Sequence, residues 1–256
     1  MPTSTDHAGS ARRPTASAGE FQTGLAFAAA QTLAEVVDAW TLVYRSYLQA
    51  GLIRSNPWRL HTVPQAIQPR AAVICGRIGE LMVSTISGYV DQPDGAGLPL
   101  DAVYPDQLAE LRREGRQLLE IGLFADRREH IERSIEALLE LMRRVTYFGV
   151  TLGCTDGVVG VHPRHAPFYE RLLGFERIGE EKTYSLVKDN PVVLLRLDWD
   201  GKISLPKPPR GLRYFRDNPI SLEAFAQRFV LSKQAVAGTD LEQYLESATS
   251  GKIAVG

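Results

Sequence analysis

Apolar residues recur at Leu33, Val36, Val37, Trp40, Val43, Tyr44, Tyr47 and Leu48. This is the i, i+3, i+4, i+7 spacing of an amphipathic helix, and Gly51 ends the run. Residues 52–70, with Pro57, Pro64 and Pro69, read as an extended, ordered loop. Residues 71–75 form a short apolar strand, 76–79 a turn, and 80–90 alternate as a longer strand. The Asp-Gly-Ala-Gly stretch at 94–97 breaks it. Residues 105–113 predict a short helix closed by Gly115, and 117–124 an apolar strand carrying a single charge, Glu120. From about Arg128 a second long helix is expected, with Ile131, Ile135, Leu138, Leu139, Met142, Val145 and Leu152 on one face and Gly153 as its C-cap. Residues 156–161 follow as a strand and 166–173 as a short helix ended by Gly174. Residues 175–187 and 192–199 are two more strands, the first of them broken.

A helix between two neighbouring strands implies a parallel crossover, so this order predicts an α/β fold: a mixed, partly parallel central sheet flanked by helices. Residues 201–216 change character, with Lys202, Lys207, Arg210, Arg213 and Arg216 and no acidic residue. They read as a basic linker. Two amphipathic helices are expected beyond it, marked by Leu222, Phe225, Ala226, Phe229 and Val230 and by Leu241, Tyr244, Leu245 and Ala248. The second opens with a capping box at Thr239 and Glu242. Forty residues are too few for a separate core, so this helical C-terminal extension should pack on the main domain. Residues 1–20, mostly Pro, Thr, Ser, Ala and Gly, are expected to be a disordered leader. The expected division is therefore a leader at 1–20, an α/β domain at 21–200, and linker plus extension at 201–256.

Lys and Arg (29) balance Asp and Glu (30) to a formal net charge of −1. Nothing draws the chain globally to nucleic acid or to an anionic membrane. The longest uncharged stretch, residues 21–34, contains Gln22, Thr23, Gln31 and Thr32, and is too short and polar to be a transmembrane segment. No strongly apolar segment follows Arg12-Arg13, so a cytoplasmic location is the expectation. Cys75 and Cys154 lie in apolar surroundings and can supply neither a disulfide framework nor a four-ligand zinc site. His162 and His165 have no Asp, Glu or Cys cluster near them in sequence, so they read as turn and helix-start residues and no metal is expected.

Residues 156–179, DGVVGVHPRHAPFYERLLGFERIG, resemble the part of the GNAT acyltransferase fold where a strand passes through an Asn/His-Pro turn into a helix ending Phe-Tyr…Gly-Phe. That helix must stop abruptly for the chain to return to the sheet, and Gly174 supplies the left-handed turn. VYRSYLQAGLI (43–53), SNPWRLH (55–61), GLPLDAVYPDQLAELRREGRQLLEIG (97–122) and NPVVLLRLDW (190–199) resemble, in this order and spacing, the long-chain N-acyl amino acid synthases. That group is GNAT-like and related to the acyl-homoserine-lactone synthases. The resemblance spans about residues 30–200. It implies a GNAT-like sheet and transfer of a fatty acyl group from an acyl carrier protein, presented as a phosphopantetheine thioester, to the amine of an amino acid. No bound cofactor is implied. Composition and periodicity by themselves stop at a soluble α/β domain.

The resemblance also suggests roles. A GNAT enzyme that uses coenzyme A carries an Arg/Gln-x-x-Gly-x-Gly/Ala loop whose N–H groups hold the pyrophosphate. The corresponding residues 125–133 here contain no glycine. This fits a carrier-protein donor, which has no nucleotide diphosphate; the other reading is a divergent coenzyme A site charged by Arg127 and Arg128. The donor is expected along Leu123, Phe124 and Ala125, whose backbone N–H groups would stabilise the oxyanion.

Glu120 is the candidate base. A carboxylate in an apolar strand must face a cleft or have its pKa raised, and an ammonium must lose a proton before its nitrogen attacks a thioester. The lactone synthases place a glutamate on the equivalent strand, although their Glu-x-x-Arg pattern is here Glu120-Ile-Gly-Leu123. The competing reading is a sheet-edge glutamate paired with Arg116. Tyr169 stands where many GNAT enzymes place a general acid, one residue further from the closing glycine than is usual; core packing is its alternative. Arg45 and Trp58 are the acceptor-side candidates. Arg45 lies roughly 130° from the centre of its helix's apolar stripe, facing either solvent or a cleft where it would clamp a carboxylate. Trp58 would wall the acceptor pocket or pin its loop. The basic strip reads either as a solvated connector or as a landing site for an acidic carrier protein. The alternative functions are a coenzyme A-dependent acetyltransferase, a lactone-type signal synthase, and a catalytically silent acyl-binding module.

Overall fold

The computed structural model describes residues 24–92, 95, 97–131 and 134–249; the leader expected at 1–20 lies outside them. In chain order the elements are β1 (Leu25–Ala29), α1 (Leu33–Gln49), β2 (Ala71–Ile78), β3 (Leu81–Val90), α2 (Pro105–Arg113), β4 (Leu118–Asp126), α3 (Ser134–Thr151), β5 (Asp156–Val161), α4 (Ala166–Leu173), β6 (Glu176–Arg177), β7 (Lys182–Tyr184) and β8 (Asn190–Asp198). The helices α5 (Trp199–Ile203), α6 (Arg210–Asp217), α7 (Lys233–Val236) and α8 (Asp240–Thr249) follow.

The strands run in the order β1-β2-β3-β4-β5-β8-β6, with β7 added on β8. β4 and β5 are parallel and the other pairings antiparallel. This is the mixed, partly parallel sheet expected, with α3 as the crossover. Successive side chains of a strand face opposite sides, so the sheet carries a core on each face. On one face Trp40 and Val43 of α1 join Tyr89, Leu118 and Val158. On the other, Val145 and Phe148 of α3 join Leu119, Ile121 and Val159.

Three elements differ from the periodic reading. β1 lies in the uncharged stretch ahead of α1 and pairs with β2 from Leu25↔Ile78 to Ala29↔Ile74; its short run of alanines carries no clear alternation. The β2–β3 turn is tighter than expected because β2 continues through Gly76, where a Cβ would come within 2.2 Å of Ser84 Oγ. In α3 the buried apolar side chains are those of Ala137, Leu141, Met142, Val145 and Phe148, whereas Ile135 is 56% exposed. The core face is therefore rotated away from the first turn.

The irregularity that matters for the site is in β4. Ser87 pairs with Gly122 and Thr85 with Ala125. Two steps on β3 face three on β4, which is a β-bulge. Leu123 adopts φ +51 there, in the left-handed region uncommon for a residue with a side chain. The extra residue inverts the alternation. Leu123 and Ala125 join the α1-side core, and Phe124 packs on the α3 side, not on the face of Glu120 as uninterrupted alternation predicts.

The C-terminal region packs on both faces. α6 forms within the basic segment expected as a linker and turns Leu212 and Phe215 into the α3-side core. Lys207, Arg210 and Arg213 remain exposed. The helix expected over 222–230 is a single 3-10 turn, Leu222–Phe225. Beyond it the Phe229 N–H donates to the Ala30 carbonyl (2.7 Å) and the Arg228 guanidinium to the Pro69 carbonyl (2.7 Å). These bonds to the region around β1 replace the next helical turn. α8 forms as expected: Thr239 Oγ1 accepts from the Glu242 N–H (3.4 Å), and the Glu242 carboxylate accepts from the Gly238 N–H (2.7 Å). Among the described residues no helix is long and apolar enough to cross a membrane.

Candidate active site

β4 and β5 pair only from Leu118↔Asp156 to Glu120↔Val158. Where they part, a cavity of about 560 Å³ opens between the two faces of the sheet. Its α1-side wall carries Tyr47, His61, Tyr89, Glu120 and Tyr184. Its α3-side wall carries Ile121, Phe124, Leu138, Met142 and Phe168. The buried polar groups gather on the α1-side wall, among apolar neighbours such as Val63, Leu100 and Val192, and the α3-side wall is apolar.

Glu120 sits on the α1-side wall at the last β4–β5 pair, with Leu119 and Ile121 anchoring β4 on the opposite face. It is 5% exposed, and its Oε2 accepts a hydrogen bond from the Leu100 N–H (2.9 Å). Burial pushes its carboxyl well above the usual carboxylate range. The Leu100 bond opposes that rise, and the charges of Asp101 and Asp91 add to it. The loop that delivers the Leu100 N–H is itself fixed. Arg112 on α2 binds both Asp91 (2.5 Å) and Asp101 (2.7 Å), and Asp101 accepts from the Leu98 N–H (2.7 Å). The pairing of Glu120 with Arg116 does not occur. Glu120 is on a central strand, and Arg116 binds Asp156 and Asp198 at the far end of β5 and β8.

Tyr169 also reaches the cavity, from α4. Its ring stands edge-on to Phe175 at 5.7 Å, and burial pushes the phenol up to about 12. Gly174, at φ +74, ends α4 directly afterwards. Leu123, Phe124 and Ala125 line the gap at the bulge. The structure thus brings Glu120, Tyr169 and residues 123–125 together.

It does not bring the other candidates there. Arg45 is exposed, and Ser46 and Tyr47 line the cavity instead; at 100° per residue one helix cannot turn all three inward equally. Arg45 is therefore not on the cavity wall, one of the two placements its sequence position allows. Trp58 is half-buried edge-on to Tyr244 (6.3 Å) and is not part of the wall, so it pins its loop to α8. Arg127 is also off the wall; its backbone N–H donates to the Val83 carbonyl (2.7 Å), and its Nε is buried without a partner among the described residues. The side chain of Arg128 lies outside the described residues. His162 and His165 stand at the rim, with His162 Nδ1 accepting from the Arg164 N–H (3.2 Å). Among the described residues no group of three or more His, Cys, Asp or Glu is placed to hold a metal ion. Both cysteine thiols are pushed up to about 12 by burial, which leaves them poor nucleophiles.

Tyr47, His61 and Tyr184 are wall residues that sequence reasoning passed over. Tyr47 counts in sequence as one more apolar position of α1, and Tyr184 as part of a broken strand. His61 lies in the loop after α1 with its ring 5.2 Å from that of Tyr47, and burial lowers its pKa to about 4. No local signal separates these residues from ordinary core.

Residues 38–198 match the family model described as N-acyl amino acid synthase FeeM. The solved structure of FeeM, an N-acyl amino acid synthase from uncultured soil microbes, is similar with a TM-score of 0.59 and 25% identity, covering 68% of this chain and 89% of that one. TofI, solved in a ternary complex with an inhibitor and MTA, is similar with a TM-score of 0.52 and 13% identity, covering 68% and 90%; at that identity the likeness speaks for the fold alone. An acyl-CoA N-acyltransferase from Pseudomonas aeruginosa gives a TM-score of 0.45 at 14% identity, covering 67% and 98%. No curated protein matches the chain.

Proposed function

This chain belongs to the N-acyl amino acid synthase family of FeeM, and from that membership we propose that it transfers a long-chain fatty acyl group from an acyl carrier protein to the amine of an amino acid. The observation that carries the reading is Glu120: a buried carboxyl with one oxygen tethered to the Leu100 N–H, set where the strands part on the wall of a cavity whose opposite wall is apolar. In the proposed step the acceptor amine lies at Glu120 and the donor thioester at the bulge. Glu120, a stronger base for its raised pKa once ionised, takes a proton from the amine. The nitrogen adds to the thioester carbon, and N–H groups at residues 123–125, where the bulge interrupts the ladder, stabilise the oxyanion. The C–S bond then breaks, Tyr169 gives the departing thiolate its proton, and the second proton shed by the nitrogen as it becomes an amide restores the Tyr169 phenol.

Two features favour a carrier-protein donor. Residues 125–133 lack the glycines of a pyrophosphate loop. Lys207, Arg210 and Arg213 are exposed in the segment leading into and forming α6, as suits an anionic partner. The test supplies long-chain acyl-carrier protein or acyl-coenzyme A to the purified enzyme with a mixture of amino acids and identifies products by mass spectrometry. N-acyl amino acids should form, with a higher kcat/KM from the carrier thioester. Equal or better use of acyl-coenzyme A would overturn the donor assignment, and absence of any product would overturn the reaction.

A further inference from the structure

The chain has nine tyrosines, and their hydroxyls divide sharply. Outside the cavity four of the five are satisfied by protein, and Tyr44 is not. The Tyr104 hydroxyl lies 2.7 Å from the Val192 carbonyl, Tyr147 donates to the Phe215 carbonyl (3.0 Å), Tyr214 to Glu140 (3.0 Å) and Tyr244 to the Thr62 carbonyl (3.1 Å). Tyr47, Tyr89, Tyr169 and Tyr184 line the cavity, and none of their hydroxyls has a hydrogen-bond partner among the described residues. The Tyr89 hydroxyl approaches Ser87, but Ser87 Oγ accepts from the Trp40 indole N–H (3.3 Å), and Tyr89 Oη is enclosed and left unpaired. Buried phenols ordinarily find a partner. Four of the five unpaired tyrosine hydroxyls among the described residues gather on the wall of this one cavity, the one at Tyr89 fully enclosed, which suits a polar ligand.

Within that set, Tyr184 neighbours the Glu120 carboxyl, and Tyr47 neighbours Tyr184 and Tyr169 on the same wall. Glu120, Tyr89 and Tyr47 are the charge neighbours felt by Tyr184, and Tyr47 packs on the neutral ring of His61. The α1-side wall holds no Lys or Arg; Arg164, at the rim, is the one such residue lining the cavity among those described. An anionic group entering beside Glu120 therefore meets phenolic O–H donors and no guanidinium. We propose that Tyr47 and Tyr184 bind the carboxylate of the acceptor amino acid through O–H···O⁻ hydrogen bonds while its amine lies at Glu120, an assignment that rests on the acyl-transfer reading above. Such bonds are short and strong. An α-amino acid carries amine and carboxylate on one carbon, so holding the carboxylate positions the amine, and the ammonium of the same zwitterion supplies the countercharge until Glu120 takes its proton. Burial raises both phenols above their ordinary range, which keeps them protonated as donors.

The test uses Tyr47→Phe and Tyr184→Phe in the full chain. Affinities for the twenty common L-amino acids are measured by titration calorimetry without donor, and again for the amine obtained by decarboxylating the tightest binder. Each variant should weaken the amino acid about 10- to 100-fold, the range for a hydrogen bond to a charged group, and leave the decarboxylated amine unchanged. Melting temperature should hold or rise, since the lost hydroxyl had no protein partner. Unchanged amino acid affinity, or equal weakening for the amino acid and its amine, would overturn the assignment. If both variants acylate amino acids with wild-type KM, only this inference fails. A wild-type chain that neither binds nor acylates any amino acid removes the acyl-transfer reading and this one together.

Discussion

Glu120 is a carboxyl whose burial works against its own charge, and two measurements follow from that. Glu120→Gln preserves shape and can still accept the Leu100 N–H bond but cannot take a proton, so kcat at neutral pH should fall by roughly 10²–10⁴-fold. Raising the pH should partly restore it, because free amine then forms in solution. The stability effect runs the other way. A carboxyl whose folded pKa lies above its unfolded value favours the native state fully below the unfolded pKa, near 4.5, and that contribution is lost as the pH rises through the folded value. The glutamine variant should therefore melt higher than the wild type at neutral pH, with the gap closing on acidification. Lower thermal stability with no pH rescue would instead assign Glu120 a structural role. His61 has the opposite sense, with a folded value near 4 against 6.5 unfolded. The unfolded chain binds the extra proton first, so stability should fall as the pH drops from about 6.5 to about 4. His61→Asn should flatten that part of the pH–melting curve, and an unchanged slope would show that the imidazole is not held neutral.

The elements show why the cavity exists. β4 cannot pair along its whole length with β5, because one added residue turns Leu123 left-handed and swings Phe124 to the other face. The space so opened is bounded by α1 on one side and α3 on the other. α3 is in turn held by α6: Leu212 and Phe215 enter its core, and the Tyr214 hydroxyl donates to Glu140. α6 and all that follows lie beyond residues 38–198 that match the family. The extension should nonetheless be integral to stability. Phe215→Ala removes a fully buried ring and should destabilise by about 3–5 kcal/mol, seen as a lower denaturation midpoint with unchanged slope. A shift near zero would mean that α6 detaches without consequence for the main sheet.

At the scale of the whole molecule, a net charge of −1 conceals a local excess of exposed cations at Lys207, Arg210 and Arg213. Replacing these three with Glu should raise KM for a carrier-protein donor, flatten its salt dependence and leave acyl-coenzyme A kinetics unaltered. An unchanged carrier KM across ionic strengths would return the strip to a purely structural part.

Much of this arrangement is local and was therefore legible in the chain. The 3.6-residue stripe of α1, the alternation of β3, the solitary charge of Glu120 and the stop at Gly174 each express a property of a few consecutive residues. The ordered motifs over residues 30–200 pointed to the family. What the chain could not declare depends on residues far apart. A bulge inverts the alternation that placed Phe124 beside Glu120. Hydrogen bonds from Phe229 and Arg228 to distant carbonyls replace a helix whose spacing was sound. Arg45 and Trp58 lie off the cavity wall, and Tyr47, His61 and Tyr184 converge on it. Which side chains share a cavity is set by where helices and strands cross, and periodicity within one element carries no information about its neighbours.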